Sequence, residues 1–492
     1  MKLQSINPKT HQPLGDVLPE SSFADIDLAV KKSKKAFASW SISTGEQRAN
    51  FLERLATSLE AHREALVERA DQESSLGLAR LNGELDRTCF QLRHFGKLAK
   101  KGQPFKYAED PAVSGAPPLG HPALLKLRVP LGPVAVFAAS NFPFAFSVLG
   151  GDSASALAAG CTVVIKGHPA HPQLTIDTLK LIDAVQKELH LEGVITLIQG
   201  HAFEIGHHLI EHPLISAGAF TGSTRGGAAL QAKANGRARP IPFYGELGSI
   251  NPIVALHEAL AGHEKELATT LAASIVLGCG QFCTSPGVVL LIDEPSQKAS
   301  NDVFVSELSA ALSVQNPHAM LTAGIRHAFS TGVENFVHAG AQKLVDASTE
   351  AIDPRPFLGS VNATKFISND KLREEVFGPA CLIVRCVDAQ QAEDALHAVG
   401  GSLTVTLWGA DEKTVRNTSL VRASMSIAGR VLFKGVPTGV AVSAGQQHGG
   451  PWPSSTTPLT TSVGDDALDR FLRPVALQDY PLWLDSSKGQ PI

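Results

Sequence analysis

The sequence predicts an α/β protein built on a doubly wound parallel sheet, with a second α/β domain following it. Three observations carry that expectation. At 492 residues the chain exceeds the size at which one hydrophobic core keeps growing, so two or three domains are expected. Between residues 133 and 235, short apolar runs alternate with helical stretches in four successive βα units. A comparable mixed segment extends from about Asn251 to Gly439.

From Phe23 to about Ser75 the chain reads as amphipathic helix, with apolar residues three and four apart in FADIDLAVKKSKKAFASW and EQRANFLERLATSLEAHREALVERADQ. KGQPFKYAEDPAVSGAPPLGHP then reads as a loop or extended linker. PVAVFAAS, CTVVIKG, GVITLIQG and LISAGAFTGS supply the strands of the four units. Ligands of such sheets lie outside the carboxyl ends of the strands. That is where Asn141, Lys166, Gln199, Gly200, Thr221, Gly222 and Ser223 fall. In the second segment the helices are LATTLAASIVLG, SQKASNDVFVSELSAALS and AQQAEDALHAV, and the strands GVVLLID and ACLIVRCVD, with Cys283 at the front edge. The tail FLRPVALQDYPLWL reads as a strand and a loosely packed end, and there is no internal repeat.

Apolar residues make up 43% of the chain and charged residues 18%, an ordinary globular composition. A formal charge of −4 predicts neither nucleic acid nor a membrane surface as partner. MKLQSINPKTHQPLGD lacks the apolar core of a secretory signal, and the most apolar stretch, residues 147–165, contains Asp152, so a cytoplasmic protein is expected. Six cysteines in so long a chain suggest free thiols rather than a disulfide framework.

GCGQFCTSPG, residues 278–287, sets the chemical question. A lone cysteine is most often an inert buried residue. Around Cys283, however, Gly278, Gly280, Pro286 and Gly287 suit a tight turn that presents a thiol beside backbone amides. Cys279 lacks close companions to complete a zinc set, and the histidines of GHPAHP and GHHLIEH lack cysteine or carboxylate partners, so no metal is expected. A thiolate attacking a carbonyl needs an oxyanion donor and a base for water. Asn141 in SNFP and Glu246 in FYGELGSINP are the candidates, against readings as a helix cap and a solvated loop acid. If Glu246 is buried, its pKa should rise toward the range useful to a base.

Taken in order, SNFP, VVIKGHP, FTGSTRGG, YGELGS, GQFC and EEVFGP resemble the NAD(P)-dependent aldehyde dehydrogenase superfamily over nearly the whole chain. The resemblance implies two Rossmann-like α/β domains and a β oligomerisation arm. Residues 1–110 and 132–248 would bind cofactor, 249–445 would form the catalytic domain, and 111–131 with 446–492 the arm and tail. The arm would be built near Leu125 to Val129 and Pro474 to Gln478, giving a homodimer or homotetramer. Cys283 would be the nucleophile, Glu246 the general base and Asn141 the oxyanion donor. Lys166, His168, Pro169, Gly200, Thr221, Gly222, Ser223, Glu375 and Phe377 would hold the dinucleotide. Phe142, Phe146, Phe282 and Thr284 would line the aldehyde channel.

The segments PIPFYGELGSINP and HGGPWPSSTTPLTTSVG look like the branch containing bacterial 2,5-dioxopentanoate dehydrogenases, which implies oxidation of that semialdehyde to 2-oxoglutarate. A medium-chain, long-chain or aromatic aldehyde is the alternative. Glu246 speaks against the acylating relatives that pass the thioester to coenzyme A, and the joint presence of the site residues speaks against a non-catalytic structural member. Pro169 stands where NAD-preferring relatives carry a carboxylate, which favours NADP+ with NAD+ as the alternative, although Glu204 adds an opposing negative charge. A substrate carboxylate calls for a cation. None lies between Asn141 and Lys166; the resemblance, in which relatives tend to place a neutral residue at this point, makes Lys434 in GRVLFKGVPTG a candidate anchor, against a reading as a surface lysine.

Overall fold

The computed structural model describes residues 3–348 and 352–491. Its first sheet is fully parallel, with strands in the spatial order Ile195–Ile198, Val163–Lys166, Val134–Phe137, Ala217–Thr221 and Phe243–Glu246. Side chains alternate between the faces of a strand, and here both faces are covered. Val134, Val136, Val163 and Ile165 enter one core with Phe51, Leu55, Leu85 and Leu92 from the helices Gly45–Ala61 and Leu78–Lys100. Ala135, Phe137 and Val164 enter the opposite core with Ile26, Ile205 and Leu209. The N-terminal helices begin where their caps dictate. The Ser22 hydroxyl accepts from the Asp25 amide while the Asp25 carboxylate accepts from the Ser22 amide, and Thr44 and Gln47 repeat the arrangement. Each such cap contributes about 1 kcal/mol.

The second sheet has seven strands in the order Gln342–Val345, Phe357–Asn362, Ala380–Cys386, Val288–Ile292, Ile253–Ala255, Ser402–Trp408 and Ala428–Leu432; only the first pair is antiparallel. The same alternation sends Val254, Val288 and Leu290 into one core and Ile253, Val289 and Leu291 into another. Several of these strands escape sequence reading because a central strand buried on both faces shows no polar alternation. Phe243–Glu246 is hidden for a different reason: four residues containing a glycine and an acid carry no strand signature.

Leu124–Pro130 pairs antiparallel with Leu472–Gln478 on one side and Ala108–Asp110 on the other, forming a separate three-stranded sheet. Residues 446–463, grouped with the arm in the sequence reading, lie elsewhere. Leu247 donates to the Ser454 carbonyl at 2.9 Å and Thr456 to the Gly245 carbonyl at 3.0 Å, so this segment runs beside the last strand of the first sheet. Backbone pairing, invisible in a Pro- and Thr-rich string, carries it there. Among the described residues no helix is long and apolar enough to cross a membrane.

Candidate active site

The segment presenting Cys283 is held in an unusual backbone. Gly278, Cys279 and Gly280 have φ of 56°, 57° and 64°, a left-handed run that only glycine adopts freely. A Cβ on Gly280 would lie 2.3 Å from the backbone of Gly378, so that position admits no side chain. Two buried amides fix the loop beyond it. Gln281 donates to the Gly278 carbonyl at 3.0 Å and accepts from the Leu321 amide at 2.9 Å. Asn251, itself at φ 52°, donates to the carbonyls of Cys283 and Ser285 at 2.8 and 2.9 Å, and its oxygen accepts from Ser249 and Thr404.

Glu246 ends its strand in register with Thr221, at the carboxyl edge of the first sheet. Its Oε1 lies 2.9 Å from His448 Nε2, and its Oε2 accepts from the Ser462 hydroxyl at 2.6 Å. Cys283 Sγ lies 3.7 Å from the same His448 nitrogen. Among the described residues His448 Nδ1 is buried without a partner, so a ring proton belongs on Nε2, which faces the Glu246 carboxylate and the Cys283 sulfur. One ligand-type atom each from Glu246, Cys283 and His448 fall within 4.8 Å of one another. The sequence expectation of no metal did not foresee this cluster, whose members come from segments 246, 283 and 448. Its internal hydrogen bonds are those of an acid–base array.

Electrostatics separates the two reactive groups. Burial alone would raise the Glu246 pKa, but His448 and Ser462 bonded to its charged form outweigh burial and hold it below the ordinary carboxylate value. This corrects the expectation that burial would raise it. Burial and the adjacent Glu246 charge push the Cys283 thiol well above its ordinary range, so it rests as the neutral thiol.

Asn141 is buried, and its amide donates to the Gln281 carbonyl at 3.0 Å, which brings it to the thiol loop. The second amide hydrogen has no acceptor among the described residues. Phe142 packs edge-on against Phe146 and Phe282 with centroids 5.3 and 5.2 Å apart, and the Arg80 guanidinium lies over Phe142 and Phe282 at 5.0 and 4.5 Å. Thr284 is buried. Lys434, expected as the substrate anchor, is exposed and has no hydrogen bond or ion pair among the described residues. The cations the fold brings to this region include Arg80 and Arg87, from the upstream helix Leu78–Lys100, and Arg430, whose charge is felt at Cys283.

At the other end of the cleft, Lys166 donates to the Gly200 carbonyl at 2.7 Å, and burial lowers its pKa to about 8. His168 accepts from the Ala170 amide at 3.1 Å, which shapes the turn around the half-buried Pro169. The carboxylate of Glu20 also borders Gly200. Ser223 caps the helix Thr224–Asn235, and Gly222 and Ser223 are exposed there beside the buried, unpartnered hydroxyl of Thr221. This open helix N-terminus with an orphaned hydroxyl suits a dinucleotide pyrophosphate. Glu375 keeps solvent exposure at the cleft, its Oε2 beside Gly248, and desolvation by the surrounding protein pushes its carboxyl up to about 7. Phe377 and Phe282 line a cavity with it.

Sequence reasoning missed His448, Ser462, Asn251, Arg80 and Arg87. A histidine before two glycines was the one available signal, for His448; the others act through packing and carry no local motif.

The whole arrangement agrees with comparisons to known proteins. The model of the aldehyde dehydrogenase family matches residues 1–473. The chain is 41% identical over 489 residues to alpha-ketoglutaric semialdehyde dehydrogenase 2 of Azospirillum brasilense, covering 97% of this chain and 91% of that one. It is 37% identical over 487 residues to alpha-ketoglutaric semialdehyde dehydrogenase of Acinetobacter baylyi, covering 97% and 90%. The solved structure of PnpE in complex with nicotinamide adenine dinucleotide superposes with a TM-score of 0.82 at 22% identity, covering 98% of this chain and 95% of that one. With the fold, the thiol loop and these matches in agreement, the chain belongs to the aldehyde dehydrogenase family.

Proposed function

We propose that this protein oxidises 2,5-dioxopentanoate to 2-oxoglutarate through a covalent thioester on Cys283, with NAD(P)+ as electron acceptor. The observation that carries the chemistry is the convergence of Cys283, His448 and Glu246 within 4.8 Å. The substrate is suggested by the two semialdehyde dehydrogenases of 41% and 37% identity.

Glu246 takes the proton of the Cys283 thiol as the sulfur adds to the aldehyde carbon. Proton transfer from a raised thiol to a lowered carboxylate is uphill until the carbon captures the thiolate. His448 Nε2–H, freed from its charged partner, turns to the sulfur and steadies it. Asn141 donates to the thiohemiacetal oxyanion, an interaction whose loss typically costs about 2.7–4 kcal/mol of barrier. Lys166, Thr221, Gly222, Ser223, Glu375 and Phe377 would hold the dinucleotide, which when bound accepts a hydride from the thiohemiacetal carbon. Glu246 first loses the thiol proton to solvent; ionised again, it removes a proton from the water that cleaves the thioester and returns it to the departing sulfur, releasing the thiol and the carboxylic acid, which ionises in water.

For the dinucleotide, Pro169 leaves no carboxylate beyond Lys166 and favours NADP+. Glu20, beside Gly200 and close enough to strengthen the Lys166 charge, favours NAD+. The arm strands suit a homodimer or homotetramer, which light scattering distinguishes. Six unbonded cysteines suit the reducing cytoplasm.

The test is initial-rate dinucleotide reduction with 2,5-dioxopentanoate, pentanal and benzaldehyde. The proposal expects the carboxyl-bearing aldehyde to have the highest kcat/KM, and Cys283→Ala to abolish turnover. A higher kcat/KM for pentanal or benzaldehyde would instead support a medium-chain or aromatic aldehyde enzyme, a reading the phenylalanine-lined wall of Phe142, Phe146 and Phe282 favours.

A further inference from the structure

The helix Leu78–Lys100 places Arg80, Glu84 and Arg87 on one face. Glu84 is buried, and its Oε1 accepts from the amides of Phe144 and Ala145 at 2.8 and 3.0 Å, which pins the helix to the segment after Asn141. Arg87 is thereby aimed at the channel. Its Cζ lies 5.9 Å from the Phe146 ring, and the contacts Phe146–Phe142–Phe282 continue from there to the residue before Cys283.

The hydrogen bonding of Arg87 is incomplete in a telling way. Nη1 donates to the Val440 carbonyl, but Nε and Nη2 are buried and have no partner among the described residues. Those two N–H groups form one edge of the planar fork, the edge that meets a carboxylate with two parallel hydrogen bonds. Two unpaired donors on a buried cation are costly and are tolerated where a ligand supplies the acceptors. No other cation near the thiol offers such an edge among the described residues. Arg80 has one such nitrogen, Nη1, while its Nη2 donates to the Asn141 carbonyl between two phenyl rings. Arg430 also has one, Nε, and spends Nη1 and Nη2 on the carbonyls of Gly439 and Pro437. Lys434 is exposed.

We propose that Arg87 is the specificity-determining residue of the aldehyde channel. Its Nε–Nη2 edge takes the carboxylate at the far end of an aliphatic aldehyde while the aldehyde carbon lies at Cys283. This rests on the carboxyl-bearing substrate proposed above and adds the group that recognises it. The Val440 carbonyl holds the third nitrogen, so the fork is fixed before substrate arrives.

The test compares wild type, Arg87→Lys and Arg87→Gln. It measures the ratio of kcat/KM for 2,5-dioxopentanoate to that for pentanal, and the competitive inhibition constant of glutarate. Arg87→Gln should lower the ratio about 10²-fold, chiefly through KM, and weaken glutarate in parallel. Arg87→Lys, which keeps charge but loses the fork, should lower it about tenfold. Equal losses for both aldehydes, with glutarate unaffected, would reduce Arg87 to a prop for Val440 and overturn the proposal. Should Arg87→Gln not fold, an unchanged ratio in Arg87→Lys overturns it equally. If wild type prefers pentanal while Arg87→Lys abolishes glutarate inhibition, the substrate assignment falls and the carboxylate site stands.

Discussion

The imidazole Nε2 of His448 lies 2.9 Å from the Oε1 of Glu246, with both side chains almost wholly buried. Desolvation opposes ionisation most strongly, but this contact, together with the hydrogen bonds of Ser462 and Cys283, holds Glu246 below the ordinary carboxylate value. Replacing His448 by alanine leaves burial opposed mainly by Ser462, so the Glu246 pKa should move upward. The acid limb of the kcat–pH profile is expected to move up with it, and kcat at neutral pH to fall about 10²-fold. An acid limb that stays in place in His448→Ala would mean that another group is the base.

The same pair has a stability signature of definite sign. The folded value of Glu246 is depressed, so its contribution is present above the unfolded carboxylate pKa and lost as pH falls through the folded one. The Tm of His448→Ala should therefore lie farthest below wild type near neutrality and converge with it in acid, measured by thermal unfolding across pH.

Cys283 carries the opposite shift, from burial first and the Glu246 charge second. Glu246→Gln removes the second cause and should lower the thiol pKa. The midpoint of the iodoacetamide alkylation rate against pH is expected to move down, while turnover drops by about 10² or more. A midpoint that stays in place or moves up would refute the like-charge account.

Asn251 holds the carbonyls of Cys283 and Ser285 from a left-handed backbone position. Asn251→Ala strands two buried carbonyls and two hydroxyl donors, and forces alanine into a conformation it disfavours. A destabilisation of about 3 kcal/mol is expected, with kcat reduced more than KM is raised. Chemical denaturation and steady-state kinetics together check it.

Glu20 borders Gly200 on the side where Lys166 donates its hydrogen bond. Glu20→Gln should raise the ratio of kcat/KM for NADP+ over NAD+ by about five- to tenfold, by removing a charge that opposes a 2′-phosphate. A ratio that does not move would leave the choice to Pro169 alone.

The strands Val134–Phe137, Val163–Lys166, Ile195–Ile198 and Ala217–Thr221 were legible because each is a short apolar run punctuated by turn residues. Their carboxyl ends, and with them Asn141, Lys166 and Ser223, followed from the parallel topology. Cys283 and Glu246 were legible through glycine-flanked motifs. The position of residues 446–463 was not, since it depends on backbone pairing across two hundred residues of chain.

By itself, then, the order of residues determined the parallel βα units of the first sheet and the glycine-flanked turns that carry Cys283 and Glu246, because periodicity and glycine placement are local properties. Tertiary structure alone decided the charge state of that acid, the arrival of His448 and Ser462 beside it, and the placing of Arg87, half-buried with Nε and Nη2 shielded from solvent, near the thiol while Lys434 stays exposed. Those depend on which distant groups share a desolvated space. Electrostatic energies are set by separation and burial, and neither is written in the spacing of residues along the chain.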